Sequence, residues 1–205
     1  MIDARLLPLQ RRLTRPFAEA LYKAGISADQ ISLFGFALGL CALPALAMGH
    51  FGLGLMFILL NRLCDGLDGA VARIAGPTDR GAFLDIALDF LFYASIPLGF
   101  ALFDPTRNAL PAALLLASFI GTGVSFMAYA VIAAKRGLHS SAFPQKGFYY
   151  LGGLTEGAET IAAFVVFCLF PMAFPAFAFI FAAACAITTL TRLIAAWVAF
   201  SPNTH

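Results

Sequence analysis

Residues 65–73 read DGLDGAVAR, and Asp85 and Asp89 follow in the next apolar segment. These acidic residues lie in sequence that is otherwise typical of membrane-spanning helices. A carboxylate at the centre of such a helix costs roughly 2.5–3.5 kcal/mol even on insertion-based scales. Four carboxylates on two neighbouring segments therefore need compensation, and a bound cation is the simplest candidate; they are Asp65, Asp68, Asp85 and Asp89.

The composition is that of a membrane protein. The chain has 205 residues, of which 61% are hydrophobic and 12% are charged, whereas soluble domains have about 25% charged residues. No polar stretch is long enough for a separate soluble domain. We therefore expect one membrane domain over residues 1–205, with a juxtamembrane segment at 1–28 and a helical bundle at 29–200. No nucleic-acid partner is expected.

Six apolar runs are long enough to cross the bilayer, which takes about 20 helical residues. The sequence predicts an all-α integral membrane fold with six transmembrane helices near residues 30–49, 51–73, 82–103, 110–134, 155–173 and 175–199. Two prolines in the segment 170–175 block helix continuation and predict a tight turn between the last two helices.

A short amphipathic helix is predicted before the first span, at residues 16–24. Pro16 suits the first helical position, and Phe17, Leu21 and Ala24 would line one face, as in a helix that lies on the membrane surface. A disordered basic tail is the alternative for this segment.

The distribution of Lys and Arg predicts the orientation. If the N-terminus is cytoplasmic, the outer loops carry only Arg107, while the cytoplasmic segments carry Arg5, Arg11, Arg12, Arg15, Lys23, Arg73, Arg80, Lys135, Arg136 and Lys146. Basic residues concentrate on the cytoplasmic side of membrane proteins. We therefore expect both termini in the cytoplasm.

Two local motifs mark the first span. Ser27 and Gln30 have the spacing of a helix capping box. Gly35 and Gly39 form a GxxxG pair, which permits close approach of a second helix. That second helix could belong to this chain or to the partner in a homodimer, and the sequence leaves the two open.

The four aspartates are expected to share one pocket. Asp65 and Asp68 are three residues apart and Asp85 and Asp89 four apart, so each pair lies on one helical face. The short connection makes the two helices antiparallel neighbours. At about 1.5 Å per residue, one pair lies about 7.5 and 12 Å from the cytoplasmic end of its helix, and the other about 6 and 12 Å. The two pairs are therefore level.

Such a pocket suits a metal-bound diphosphate. Hard carboxylate oxygens favour Mg²⁺ or Mn²⁺, and four carboxylates can hold two ions that bridge one phosphate. Arg73 at the rim can bind phosphate, and nearby glycines (Gly66, Gly69 and Gly81) leave room for a ligand. The alternative is an ion-pair network of Asp65 or Asp68 with Arg62 or Arg73, which would leave negative charge in surplus.

These residues resemble the signature of the CDP-alcohol phosphotransferase family (CDP-alcohol phosphatidyltransferase, class I). That signature is D-x2-D-G-x2-A-R, followed after a spacer by G-x3-D-x3-D. Its eight fixed positions are here Asp65, Asp68, Gly69, Ala72, Arg73, Gly81, Asp85 and Asp89. The six predicted spans and cytoplasmic termini are also similar to the family.

The resemblance implies an enzyme of phospholipid biosynthesis in the cell (inner) membrane, with its active site facing the cytoplasm. It would transfer the phosphatidyl group of CDP-diacylglycerol to a polar alcohol and release CMP. The four aspartates would hold two Mg²⁺ or Mn²⁺ ions, and Asp89 would also deprotonate the alcohol. The resemblance implies donor contacts from Asp29, Ser32, Gly69, Arg73, Thr78 and Gly81, although Asp29 stands where the family often has Asn.

The acceptor alcohol stays open at this point. Lys135, Arg136, Lys146 and Glu156 are candidate acceptor contacts. Basic residues also flank most cytoplasmic ends of spans. Glu156 could simply occupy a helix N-terminus, or it could indicate an acceptor pocket suited to hydroxyls or an amine rather than a second phosphate. Candidate acceptors are glycerol 3-phosphate, inositol, inositol phosphate, serine, choline and ethanolamine.

Two other classes of protein compete with the enzyme. Intramembrane acids also mark the pathways of cation- or proton-coupled carriers, but carriers favour sites near the midplane between inverted repeats. Here the acids cluster toward one membrane face and no repeat is visible. A purely structural membrane scaffold would leave the surplus aspartates unexplained.

Overall fold

The computed structural model describes residues 2–137 and 153–201, with side chains from residue 13 onward, and this part of the chain contains helices but no strand. The helices are α1 (Ile2–Lys23), α2 (Ala28–Leu40), α3 (Ala42–Ala47), α4 (Phe51–Ala75), α5 (Asp79–Phe103), α6 (Pro105–Lys135), α7 (Gly157–Leu169) and α8 (Phe174–Ala199), with a 3₁₀ turn (Pro171–Ala173) before α8.

Four stretches in the described ranges are long and apolar enough to cross a membrane, namely Ala28–Ala47, Asp79–Phe103, Pro105–Lys135 and Pro171–Ala199. The all-helical architecture is thus confirmed, and these stretches fit an integral membrane protein. Helix α4 has the length of a span but carries the charged residues of the pocket, and α7 has only 13 residues. The count of six spans stays a prediction.

Local signals set the helix ends near the pocket. The capping box of α2 is confirmed, since Gln30 N donates to Ser27 Oγ at 3.3 Å and Ser27 N donates to Gln30 Oε1 at 2.9 Å. Helix α4 ends at Gly76, whose φ of 98° strongly favours glycine. Two residues later Thr78 caps α5 by accepting from Gly81 N at 3.0 Å. This short connection joins α4 to α5, and α2 packs against both helices.

Helix α1 corrects the prediction for the N-terminal segment. It runs from Ile2 to Lys23 and passes through Pro16 instead of beginning there. The buried face holds Thr14 and Ala18, whereas Phe17 is 66% exposed. Ala18 packs with Ile31 of α2 and with the buried face of α4. Leu21 of the predicted face packs against the same cluster, but Phe17 and Ala24 are exposed, so packing against α2 and α4 selects a face shifted toward Thr14 and Ala18.

A cluster of phenylalanines fixes α5 against the last two helices. Five of them are fully buried, namely Phe92, Phe100, Phe164, Phe167 and Phe174. The rings of Phe100 and Phe174 stack with centroids 4.4 Å apart, and Phe164 meets Phe92 edge to face at 6.4 Å. This core sets the position of α5, which carries two of the four aspartates.

The GxxxG pair of α2 faces α4 and α5 of the same chain. A Cβ added at Gly35 would lie 2.5 Å from Cys64 Cβ, and one added at Gly39 would lie 2.8 Å from the Phe92 ring. Asn61 Nδ2 donates to Gly35 O at 2.9 Å across this contact. The pair therefore serves internal helix packing, and the expectation of a homodimer loses this support.

We predict that Gly35→Ala lowers the free energy of unfolding by about 1–3 kcal/mol, because the added methyl forces α2 away from α4. Thermal unfolding of the detergent-solubilised protein would measure the loss. Gly52→Ala is the matched control, since a Cβ there meets no atom within 4 Å and alanine favours the helix. Equal stability of the two variants would contradict the close contact.

Candidate active site

Three carboxylates converge between α4 and α5. Asp65, Asp68 and Asp85 each offer an oxygen, and these oxygens all lie within 4.8 Å of one another. Asp89 lines the same pocket, which α2 closes from the side with Ser32, Gly35 and Phe36. The structure thus brings the four predicted aspartates to one pocket, with Asp89 set apart from the other three.

The donor set fits a hard divalent ion. Oxygens that surround Mg²⁺ at about 2.0–2.1 Å are at most about 4.2 Å apart. The three carboxylate oxygens are already close to that spacing. Carboxylates are also the ligands that Mg²⁺ and Mn²⁺ prefer. Asp65, Asp68 and Asp85 are therefore the residues that could hold such an ion.

Ser32 orients one of these carboxylates. Its hydroxyl donates to Asp68 Oδ2 at 2.5 Å and lies 3.1 Å from Ala28 O. Ser32 is one of the donor contacts that the family resemblance implies, and it lies against a candidate metal ligand. Helix α2 therefore fixes the rotamer of an aspartate on α4.

Asp89 is paired with Arg62, a residue that sequence analysis treated only as an alternative counter-ion for Asp65 or Asp68. Arg62 Nη2 donates to Asp89 Oδ1 at 2.7 Å, and Nη1 lies 3.5 Å from Asp65 Oδ2. An ion pair is thus present, as the alternative expected, but its main partner is Asp89. One guanidinium balances one of four carboxylates, so Arg62 by itself leaves the pocket negative.

Three of the predicted donor contacts lie together at the start of α5. A Cβ added at Gly81 would lie 3.1 Å from Thr78 Oγ1 and 3.3 Å from Asp29 Oδ1. Arg80 Nε donates to the other oxygen of Asp29 at 2.6 Å. This ion pair joins α2 to α5 and offsets the extra charge that Asp29 brings in place of Asn.

The remaining predicted donor contacts are on α4. A Cβ added at Gly69 would lie 3.4 Å from Arg73 Nη1, so the guanidinium covers the backbone at Gly69. Arg73 also lines an open groove of about 540 Å³ between α1 and α4, together with Arg15 and Lys23. The rim position expected for Arg73 agrees with this exposure.

The predicted acceptor residues have local contacts where they are described. Lys135 is exposed in the last turn of α6. Arg136 ties that turn to the end of α8 by donating to Phe200 O at 2.9 Å. Glu156 Oε1 accepts from Gly153 N at 3.0 Å and orders the turn before α7. Lys146 lies outside the described residues.

Arg192, a residue with no predicted role, is buried in α8 with 6% exposure. Its Nη1 donates to Thr122 O of α6 at 2.9 Å. Beside it, Thr188 Oγ1 accepts from both the backbone and the hydroxyl of Thr155, at 3.1 and 2.9 Å. The sequence did contain a signal for Arg192, because a cationic residue inside an apolar, membrane-spanning run is a candidate functional residue.

The sequence matches the CDP-alcohol phosphatidyltransferase family over residues 26–200. The inner membrane protein YnjF of Escherichia coli (strain K12) is 52% identical over 193 residues, 94% of each chain. The phosphatidylinositol phosphate synthase of Mycobacteroides abscessus is 40% identical over 80 residues, 38% of this chain and 36% of that protein. The archaetidylinositol phosphate synthase of Methanothermobacter thermautotrophicus is 37% identical over 93 residues, 45% of this chain and 46% of that protein.

Solved structures share the fold. The Mycobacterium tuberculosis phosphatidylinositol phosphate synthase with CDP-DAG bound superposes with a TM-score of 0.69 at 24% identity, over 94% of this chain and 96% of that one. The same synthase in complex with manganese and citrate gives a TM-score of 0.69, over 93% and 90% of the two chains. At this identity the likeness establishes the architecture.

The chain therefore belongs to the CDP-alcohol phosphatidyltransferase family. It is an integral membrane transferase of phospholipid biosynthesis, and the reaction class predicted from the sequence is confirmed. The expected cofactor, Mg²⁺ or Mn²⁺, agrees with the carboxylate cluster and with the manganese in the solved relative. The carrier and the scaffold are set aside by the same finding.

We predict that Asp68→Asn weakens Mn²⁺ binding by at least about tenfold, because one of three converging anionic ligands is lost. Electron paramagnetic resonance of free Mn²⁺, titrated with the purified protein, would measure this. Asp104→Asn is the matched control. Asp104 is not among the residues of the pocket and caps the N-terminus of α6 by accepting from Arg107 N, and Asn also caps helices. Unchanged binding by Asp68→Asn would contradict the assigned ligand set.

Proposed function

We propose that this chain transfers the phosphatidyl group of CDP-diacylglycerol to a small polar alcohol in the pocket between α2, α4 and α5. The observation that carries the proposal is the convergence of three carboxylate oxygens within 4.8 Å beside Asp89. The alcohol oxygen attacks the donor phosphorus, the bond to the CMP oxygen breaks, and the hydroxyl proton passes to a carboxylate. CMP and the phospholipid are the products.

Asp65, Asp68, Asp85 and Asp89 would hold the two divalent ions. Bound ions of this kind neutralise the diphosphate and hold it for in-line displacement. Ser32 keeps Asp68 in position through its 2.5 Å hydrogen bond. The carboxylates therefore need little rearrangement when the donor enters.

Asp89 is the general base in this proposal. Its Oδ1 is held by Arg62 at 2.7 Å, which leaves Oδ2 as the oxygen that takes the proton of the alcohol. A positioned carboxylate contributes to such proton transfers when it lies within hydrogen-bond reach of the hydroxyl. The alcohol must therefore bind on the Oδ2 side of Asp89.

The donor would lie across two groups of contacts. Asp29, Thr78 and Gly81 form the first, where the missing side chain of Gly81 leaves space between two polar oxygens. Gly69 and Arg73 form the second, where the guanidinium can pair with a phosphate. Apart from Asp29 on α2, the residues of both groups lie between the two aspartate pairs in the sequence, at the connected ends of α4 and α5, so a nucleotide diphosphate would reach both groups and the metal ligands.

We also propose six membrane crossings: α2 with α3, α4, α5, α6, α7 with the 3₁₀ turn, and α8. Their bounds support the six predicted runs to within a few residues, and the homologous inner membrane protein of Escherichia coli covers nearly the whole chain. The basic residues at the Arg73 end then place the pocket and both termini in the cytoplasm. The chain forms one membrane domain, with α1 as its juxtamembrane helix.

For the acceptor we propose a phosphorylated polyol. Two of the relatives are named for inositol phosphate products. The guanidinium of Arg192, a cation buried in α8 next to Thr188, would supply a contact for the phosphate of such a molecule. Glu156 is already bonded to the turn before α7, which weakens the case for an amine acceptor.

We predict that the purified protein with CDP-diacylglycerol, Mn²⁺ and an acceptor releases CMP, and that Asp89→Asn lowers the rate by about 10²-fold or more, because the general base is lost. Quantifying CMP by chromatography checks both. Asp104→Asn should keep the wild-type rate. A fully active Asp89→Asn variant would remove Asp89 as the base.

We further predict that glycerol 3-phosphate or inositol phosphate supports the fastest CMP release in a panel with inositol, serine, choline and ethanolamine. Arg192→Gln should then lower kcat/KM for the phosphorylated acceptor by about tenfold with the donor KM unchanged, since one charge-assisted contact is lost. Preference for an amine or for unphosphorylated inositol would contradict the acceptor proposal while leaving the reaction class intact.

A further inference from the structure

Arg62 connects the two aspartate pairs. It lies on α4, one turn before Asp65, and it is not one of the eight fixed positions of the family signature. Its guanidinium reaches Asp89 Oδ1 on α5 at 2.7 Å through Nη2, and Asp65 Oδ2 on α4 at 3.5 Å through Nη1. The planar guanidinium thus sets the spacing between Asp65 of the first pair and Asp89 of the second.

The guanidinium is itself held along its edge by Asn61. Nε and Nη2 both donate to Asn61 Oδ1, at 2.9 and 2.6 Å. Asn61 is buried, and its Nδ2 donates to Gly35 O of α2 at 2.9 Å. The position of Arg62 is therefore tied to the close contact between α2 and α4.

Two aromatic rings further restrict the position of the Arg62 guanidinium. The Arg62 guanidinium carbon lies 4.9 Å from the ring centre of Phe92 and 5.4 Å from that of Tyr93. Nη1 also donates to the Tyr93 hydroxyl at 3.3 Å. Only 17% of the Arg62 side chain is exposed. Contacts on its edge and with two rings leave the guanidinium little freedom.

We infer that Arg62 is a positioning residue for catalysis, which holds Asp89 Oδ1 so that Oδ2 is the oxygen presented to the alcohol. The inference rests on the proposed function, in which Asp89 is the base. Asn61 transmits the constraint from Gly35 on α2 to Arg62, and Arg62 transmits it to α5. The pairing of Asp89 is thereby set by the packing of three helices.

Geometry as well as charge is needed for this role. An ammonium group carries the same charge but cannot present the planar fork that meets Asn61 and Asp89 together. Partly buried ion pairs are weak evidence for a stabilising role. Small errors in the position of a catalytic group, in contrast, cost large factors in rate. The lysine variant therefore separates positioning from charge.

The test compares Arg62→Lys and Arg62→Met with wild type in the CMP-release assay. We expect Arg62→Lys to lower kcat by at least about tenfold, with the donor KM within about threefold of wild type. Arg62→Met should lose at least as much activity. Arg107→Gln, which removes an exposed arginine at the start of α6, is the matched control and should keep the wild-type rate.

Mn²⁺ binding provides a second measurement. Because Arg62→Lys keeps the charge and the three converging carboxylates, its affinity should stay within about threefold of wild type. Arg62→Met removes a positive charge from the pocket and should bind Mn²⁺ no more weakly than wild type. These measurements do not require turnover.

A wild-type kcat in Arg62→Lys would overturn the inference. So would joint loss of kcat, Mn²⁺ binding and thermal stability in Arg62→Lys, since that pattern indicates a residue needed only for folding. A wild-type protein that binds Mn²⁺ but releases no CMP with any acceptor would instead overturn the proposed function. The two failures are therefore distinguishable.

Discussion

The structure depends on holding four carboxylates in one pocket between apolar helices, where unbalanced charge is costly. The pocket forms because α2 packs against both α4 and α5, with no side chain at Gly35 and Gly39, and because a three-residue connection joins α4 to α5. Repulsion between the acids would oppose this packing. Arg62 offsets part of it by pairing with Asp89, and the remaining negative charge makes the pocket a site for divalent cations.

Residue spacing predicted much of this arrangement. The separations within 65–73 and 85–89 placed each acidic pair on one face, and the level of the two pairs followed from the helical rise. The capping box at Ser27 and the short connection before α5 were also readable from local chemistry. These features depend on residues close in sequence, which is why sequence alone could predict them.

Features set by contacts between distant residues were less accessible. The choice of Asp89 as the main partner of Arg62 depends on the Asn61 and Tyr93 contacts. The buried face of α1 is selected by packing against α2 and α4, and the helix begins at Ile2 instead of Pro16. Arg62 and Arg192 each lie inside an apolar run, which indicated a buried polar network at each position. The hydrogen-bond partners in these networks could not be identified from the sequence. We propose that the acceptor contacts the network around Arg192, and the acceptor is consequently the least predictable part of the site.

The central claim is that the acidic pocket holds divalent ions. Anomalous diffraction from crystals grown with Mn²⁺, collected at the manganese absorption edge, tests it most directly. The account predicts anomalous peaks bounded by the carboxylates of Asp65, Asp68, Asp85 and Asp89, and their loss in Asp68→Asn crystals. Manganese peaks confined to other parts of the protein, with this pocket empty at saturating Mn²⁺, would contradict it.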